Sequence, residues 1–189
     1  MSHVTFIGNV EQRLVKRLQE GDKTAARDFY SLYADTLAGI CMRYIADEED
    51  LKDVLQNALA HIFSHIAEFE YRGAGSLLAW AKRVVVNESL KYLRTMVHFE
   101  ELQENYNIVD ESEGDDLSFS DIPPDIIHQM LSHPPIGYRT VLNLYVLEGK
   151  SHQEIASLLG IRKDTSASQL HKAKQMLAKM IRKYNDDNS

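Results

Sequence analysis

The sequence predicts an all-α protein made of two helical units joined by an acidic linker. Three observations predict it. Apolar residues recur at three- and four-residue spacing along most of the chain, and no run of strict alternation suggests a strand. One internal segment also loses its apolar pattern and its cations together. At 189 residues the chain has room for two cores, and an apolar fraction of 44% can fill them, which excludes a disordered chain.

The elements follow in order. Asn9 is placed to cap a short first helix that ends near Gln19, and Gly21-Asp22 reads as the turn after it. A second helix is expected from about Thr24 to Tyr44, with Ala25, Phe29, Leu32, Tyr33, Leu37, Ile40 and Tyr44 facing inward. A third, from about Asp47 to Phe69, buries Leu51, Val54, Leu55, Ala58, Ile62, Ile66 and Phe69. Tyr71-Arg72-Gly73-Ala74-Gly75 interrupts the pattern, and Ser76 can cap a fourth helix that continues to about Arg94. Trp80 is expected in the core of this bundle, and Tyr92 is expected to pack against it. From Met96 to Pro124 the chain is acidic and poor in large apolar residues, and it reads as a linker with room for a short helix. Helical order returns near Asp125. The expected boundaries are therefore 1–95, 96–124 and 125–189.

The net charge of −7 argues against nucleic acid until its distribution is read. Glu100 to Asp125 holds ten carboxylates and no Lys or Arg, so the rest of the chain carries +3. Arg72 to Arg94 has five cations against Glu88 alone, and Gly160 to Tyr184 has seven against Asp164 alone. Two basic stretches on an acidic chain are candidates for nucleic-acid contact. The linker's acids are expected to keep the free chain off nonspecific DNA, because backbone binding depends on neutralising phosphates.

Residues 151–173 have the pattern of a helix-turn-helix. Ser151 with Glu154 forms a capping box for the first helix. Ile155 and Leu159 face inward, and Ala156 is small enough for a second helix to cross closely. Gly160 stands at the turn, where positive φ is needed. Asp164 can cap the second helix, whose buried stripe is Leu170, Ala173, Leu177 and Ile181. Its opposite face is expected to show Arg162, Lys163, Thr165, Ser166, Ser168, Gln169, His171 and Lys172, donors suited to phosphates and to base edges in a major groove. Residues 131–149 supply the supporting helix.

These residues resemble a known family. Pro134-Pro135-x-x-Tyr138-Arg139-x-Val141, Glu148-Gly149-x-Ser151, Glu154-Ile155-Ala156, Leu159-Gly160-Ile161 and Ser168-x-Leu170-His171-x-Ala173-Lys174 look like region 4 of extracytoplasmic-function sigma factors. The resemblance implies that this part reads the −35 promoter element and touches the polymerase flap. Ser166, Ala167 and Gln169 stand where the family commonly has Val, Lys and Arg.

In the N-terminal half, Asp50, Asp53 and Asn57 are spaced by three and four and so line one helical stripe. Five acids against Lys52 between Asp47 and Asp53 suit a basic partner. The run is similar to the part of the family's region 2 that grips the polymerase clamp, which implies Asp50, Asp53, Gln56 and Asn57 as the core-binding set; Asn57 replaces the usual Glu. Residues 71–94 resemble the segment of region 2 that opens and binds the −10 element. A glycine-bearing loop beside an aromatic can accept an unstacked base, and basic residues after it can track a single strand. The resemblance implies that Tyr71, Arg72 and Asn87 border a flipped-base pocket, with Gly73 in the loop, while Lys82, Arg83, Lys91 and Arg94 follow phosphates.

The function implied is that of a sigma factor, with core RNA polymerase and promoter DNA as partners and an anti-sigma factor as regulator. No catalytic residue, cofactor or metal is expected. His61 and His65 are spaced to chelate a metal, but the Ile-Phe-Ser between them lacks the Glu of a zinc hydrolase helix and no third ligand is near in sequence. No nucleotide-cradling glycine loop or nucleophile elbow occurs. A stand-alone helix-turn-helix regulator is an alternative that leaves 71–94 unused; a sigma-mimicking protein adaptor leaves both basic stretches unused. Cys41 is the single cysteine, so no intrachain disulfide forms. Met1–Val10 lacks a secretion pattern and the apolar runs are short, so a cytoplasmic location without membrane insertion is expected.

Overall fold

The computed structural model describes residues 2–96 and 122–188, which form two compact units, 1–93 and 94–189. Most of the acidic segment expected as a linker, residues 97–121, lies outside the described residues. Among the described residues every regular element is helical, and no helix is long and apolar enough to cross a membrane.

The first unit is a bundle of four helices. α1 spans Ser2–Gln19, so Asn9 lies inside the helix and does not cap it. Gly8 and Asn9 are poor helix formers, but a penalty of about 1 kcal/mol for a glycine does not stop a helix with apolar residues on both sides. α2 spans Lys23–Met42 and is capped by Asp22, whose carboxylate accepts from the Thr24 N–H at 2.8 Å. Arg17 joins this corner, with Nε 2.8 Å from Asp22 and Nη1 2.7 Å from Asp28. Ala25, Phe29, Leu37, Ile40 and Cys41 of α2 are buried, as is Tyr44 just beyond it. Leu32 is not: it is 56% exposed. Its position falls at the edge of the inward stripe, where it lines an open groove with Val10 and Leu14 of α1.

Asp47 caps α3, Glu48–His65, by accepting from the N–H groups of Glu49 and Asp50 at 2.9 and 3.0 Å. Phe29 meets Phe63 of α3 edge-on at 5.5 Å and Tyr33 at 5.1 Å, a geometry in which ring edge faces ring face. A 3-10 turn, Ile66–Glu68, ends this stretch. α4, Ser76–Met96, is the inner helix of the bundle: Leu77, Ala81, Val84, Val85, Val86, Ser89, Leu90 and Leu93 are buried over most of its circumference. Cys41 and Ser89 meet at 3.6 Å, and burial pushes the Cys41 thiol up, away from reactivity.

Ser76 is the first residue of α4 and not its capping side chain. The acceptor at this helix start is the carboxylate of Glu11, which takes the N–H groups of Gly75 and Leu77, the latter at 2.7 Å. Ser76 Oγ instead accepts from the Arg72 N–H at 3.2 Å. A local sequence window cannot see a capping group brought in from another helix.

The second unit starts with α5, Pro124–Ser132, and α6, Ile136–Leu142, with His133 to Pro135 between them. Arg139 is buried in α6 and donates from Nη1 to the Ser132 carbonyl at 2.8 Å, tying the two helices. α6 continues as a π-helical turn, Asn143–Leu147. α7, His152–Leu159, carries the full capping box: the Glu154 N–H donates to Ser151 Oγ at 3.3 Å, and the Ser151 N–H to Glu154 Oε2 at 2.9 Å. Gly160 then turns the chain with φ 70° and ψ 31°, a left-handed conformation that favours glycine. α8 spans Lys163–Asp187 and packs on α6 and α7. Its capping position is Arg162, without a side-chain bond; Asp164 sits in the first turn, where a negative charge still suits the helix dipole.

Candidate nucleic-acid and polymerase interfaces

The 69–75 loop is built around an aromatic pair. Phe69 and Trp80 lie 5.0 Å apart with their planes tilted by 36°. Trp80, expected in the core, is half-buried. It borders an open groove of about 440 Å³ with Phe69, Arg72 and Arg83, and with Glu68 and Glu70 on its rim. Tyr71 is half-buried, and its hydroxyl is pushed up in pKa by burial and then by Glu11. The Arg72 side chain is exposed and pairs loosely with Glu70 at 3.3 Å. Gly73 and Gly75 have φ of 117° and 85°, which no other residue type adopts without strain.

From this groove a stripe runs along α4. Arg83, Asn87, Lys91 and Arg94 are all exposed and recur at three- and four-residue spacing, so they share one face with Trp80. Lys91 also meets Glu88 at 3.5 Å. Lys82 does not join them: it is half-buried on a different face. The arrangement offers stacking surface first and cations beyond it, which suits a strand whose bases are unpaired.

On α3, Asp53, Gln56 and Asn57 are exposed on one stripe, as expected. Asp50 is half-buried and is engaged by the Tyr92 hydroxyl, which joins α3 to α4. Lys52 pairs with Glu48 at 2.8 Å, which leaves Asp53 as the carboxylate next to Gln56 and Asn57. His61 and His65 stack at 4.3 Å, with His61 Nδ1 3.4 Å from Glu88. Among the described residues no three His, Cys, Asp or Glu side chains are grouped to hold a metal ion.

On α8 the expected face divides. Arg162, Lys163, Ser168 and His171 are exposed, and Lys172 is half-buried with its ammonium 5.9 Å from the Tyr138 ring centroid. Thr165, Ser166 and Gln169 are 2%, 0% and 1% exposed and so cannot reach a base edge. The buried stripe of α8 is wider than Leu170, Ala173, Leu177 and Ile181, because α7 also packs against its first turns. His152 of α7 meets Ser166 Oγ at 3.0 Å and stacks on Tyr145 at 4.9 Å, closing that side. Lys174 and Ala167, both exposed, fall on the open face with His171; the three-residue step from His171 to Lys174 was the sequence signal for it.

Residues 29–96 match the family model of sigma-70 region 2, and residues 125–177 match that of sigma-70 region 4. The ECF RNA polymerase sigma-E factor of Haemophilus influenzae is 30% identical over 186 residues, covering 90% of this chain and 95% of its own. The RNA polymerase sigma-H factor of Pseudomonas aeruginosa is 24% identical over 182 residues, covering 90% and 93%. A fainter likeness, with a TM-score of 0.46 and 18% identity, extends over 93% of this chain and 97% of the solved chain of CnrH in complex with the cytosolic domain of CnrY. Two region models in chain order, and a relative aligned along nearly all of both lengths, show that the chain belongs to the extracytoplasmic-function sigma factors of the sigma-70 family, transcription initiation factors that are not enzymes.

Proposed function

We propose that this sigma factor divides promoter recognition between its two units. The first binds core RNA polymerase through Asp53, Gln56 and Asn57, with Asp50 at the edge of the stripe. The same unit takes the unpaired −10 strand on Tyr71, Arg72 and Trp80 and leads its phosphates along Arg83, Asn87, Lys91 and Arg94. The second unit binds the −35 duplex with Arg162, Lys163, Ser168, His171 and Lys174, and Lys172 lies at the margin of that face. The divisions 1–95, 96–124 and 125–189 serve these roles, and the acidic stretch spans them. The factor works in the cytoplasm, where the polymerase is, under the control of an anti-sigma factor; family membership supports both statements.

The observation that carries the proposal is the pair of cationic faces on a chain of net charge −7. One face continues from an aromatic groove, as unpaired bases require. The other lies on the second helix of a capped helix-turn-helix, as a major groove requires. The test is reconstitution of the full chain with core polymerase on a library of random-sequence duplexes. Start sites that appear only with the chain, preceded by a common −10 and −35 pattern, support the proposal. Transcription no different from core polymerase alone overturns it.

A further inference from the structure

α1 precedes the stretch that matches the region 2 model, which begins at residue 29, yet it grips the 69–75 loop at both ends. Where the chain enters the loop, Gln19 Nε2 donates to the carbonyls of Ile66 and Phe69 at 3.1 and 2.9 Å. Where it leaves, the Glu11 carboxylate accepts from the N–H groups of Gly75 and Leu77. Glu11 is only 4% exposed. A buried carboxylate is unfavourable unless its oxygens are satisfied, and here each oxygen takes an amide that the start of α4 leaves without an intrahelical partner. The helix dipole favours the same charge at the same place. The carboxylate and the helix start therefore hold each other.

Between these two anchors the loop carries two glycines of positive φ. Gly73 and Gly75 allow its backbone several conformations, and the bonds within it include Ser76 N–H to the Gly73 carbonyl at 3.1 Å, Arg72 N–H to Ser76 Oγ and the Arg72 guanidinium to Glu70 at 3.3 Å. Tyr71 also stands close enough to Glu11 to feel its charge.

We propose that Glu11 and Gln19 are positioning residues for promoter opening, which hold the 69–75 loop so that Arg72 stands beside Trp80 and Arg83, and Tyr71 keeps its place in the loop, before DNA arrives. The inference rests on the −10 reading given above. Neither residue needs to touch DNA: Glu11 is buried, and Gln19 is spent on loop carbonyls. What they provide is a loop already in its working conformation, so that the unpaired strand does not have to order it.

The test uses the full chain, Gln19→Ala and Glu11→Gln, with Arg83→Ala as comparator. Glu11→Gln keeps one oxygen acceptor and the shape of the side chain, and Gln19→Ala removes an exposed group, so the fold is retained. Hydrogen exchange is read at amides 69–77 of the free chain. Strand opening and core association are then read on a promoter selected by the unaltered holoenzyme. Exchange at those amides should rise and opening should fall about tenfold with core association unchanged, roughly the net worth of one hydrogen bond. Unchanged opening in both variants, alongside lowered opening in Arg83→Ala, overturns this inference and leaves the −10 reading standing. Opening that falls only in proportion to core association also overturns it, because the role is then structural. Unchanged opening in Arg83→Ala as well removes the −10 reading and this inference with it.

Discussion

The hydroxyl of Tyr92 on α4 is hydrogen-bonded to the carboxylate of Asp50 on α3, and Asp47 and Asp53 add their charge to the same place. The hydrogen bond, then burial, then the three charges oppose a phenolate and push Tyr92 up to about 12. An acid that looks available for a partner is thus already committed inside the unit.

Tyr92 should ionise well above the ordinary 10 of a tyrosine. Its neutral form is the one the fold favours, so the stabilisation is complete below pH 10 and is lost as pH rises through about 12. The difference in ultraviolet absorbance between the native chain and Tyr92→Phe should show this late step. In Asp50→Asn it should move back towards 10, since the neighbouring negative charge is reduced. A Tyr92 step at the ordinary value in the native chain would sink the assignment.

With Asp50 held by Tyr92, the exposed charge beside Gln56 and Asn57 belongs to Asp53. Asp53→Arg should weaken association with core polymerase at least tenfold, because like charges across an interface are unfavourable by several kcal/mol. Its circular dichroism and melting should match the native chain. Undiminished capture of core polymerase by this variant counts against the stripe.

The buried side of α8 predicts a division of effects. Ser166→Ala and Gln169→Ala should each destabilise the second unit by roughly 1–3 kcal/mol, the penalty for disrupting a buried polar group and its packing. Ser168→Ala and His171→Ala, on the exposed face, should change stability by less than about 0.5 kcal/mol. Urea unfolding of the four variants distinguishes the sets. Equal small effects in all four would mean that Ser166 and Gln169 are not packed as described.

Much of this was legible in the sequence because it is local. The capping box of Ser151 and Glu154 and the turn at Gly160 need only residues within one or two helical turns, and both are found where the spacing puts them. The stripe expected from Asp50 to Asn57 is exposed at Asp53 and Asn57 but half-buried at Asp50. What could not be read depends on another element. Thr165, Ser166 and Gln169 look like exposed donors until α7 is laid across them, and residue type alone does not reveal that cover. Ser76 looks like a cap until Glu11 arrives from α1. Trp80 has the composition of a core residue, yet it lies on the α4 stripe that also carries Arg83 and Asn87, where Phe69 covers only part of the ring.

Gly160 isolates a backbone effect from a packing effect. A Cβ at this position would meet nothing within 4 Å, so Gly160→Ala introduces no clash with a neighbour. It does force an alanine to φ 70°, at a cost of about 1–2 kcal/mol. Asparagine tolerates the left-handed conformation better, so Gly160→Asn should lose less. Thermal unfolding that ranks glycine above asparagine above alanine is the expected result. An alanine variant as stable as the native chain would show that the turn relaxes into another conformation.

The corner that orients α1 should be sensitive to acid. Asp22 is held at about 2, against an ordinary 3.8, first by the Thr24 hydroxyl, then by Arg17, then by the Thr24 N–H. Because the folded value is depressed, the stabilisation is present above the ordinary value and is lost as pH falls from 3.8 through about 2. Asp22→Asn separates the parts of this effect: asparagine caps a helix as well as aspartate does, but it carries no charge for Arg17 to pair with. The stability gap between the native chain and the variant should therefore shrink as pH is lowered from 4 to 2. Added salt at neutral pH should narrow it too, since both side chains are more than a third open to solvent. Urea unfolding at several pH values measures the gap, and one that stays constant across the range would show that Arg17 and Asp22 do not hold the corner together.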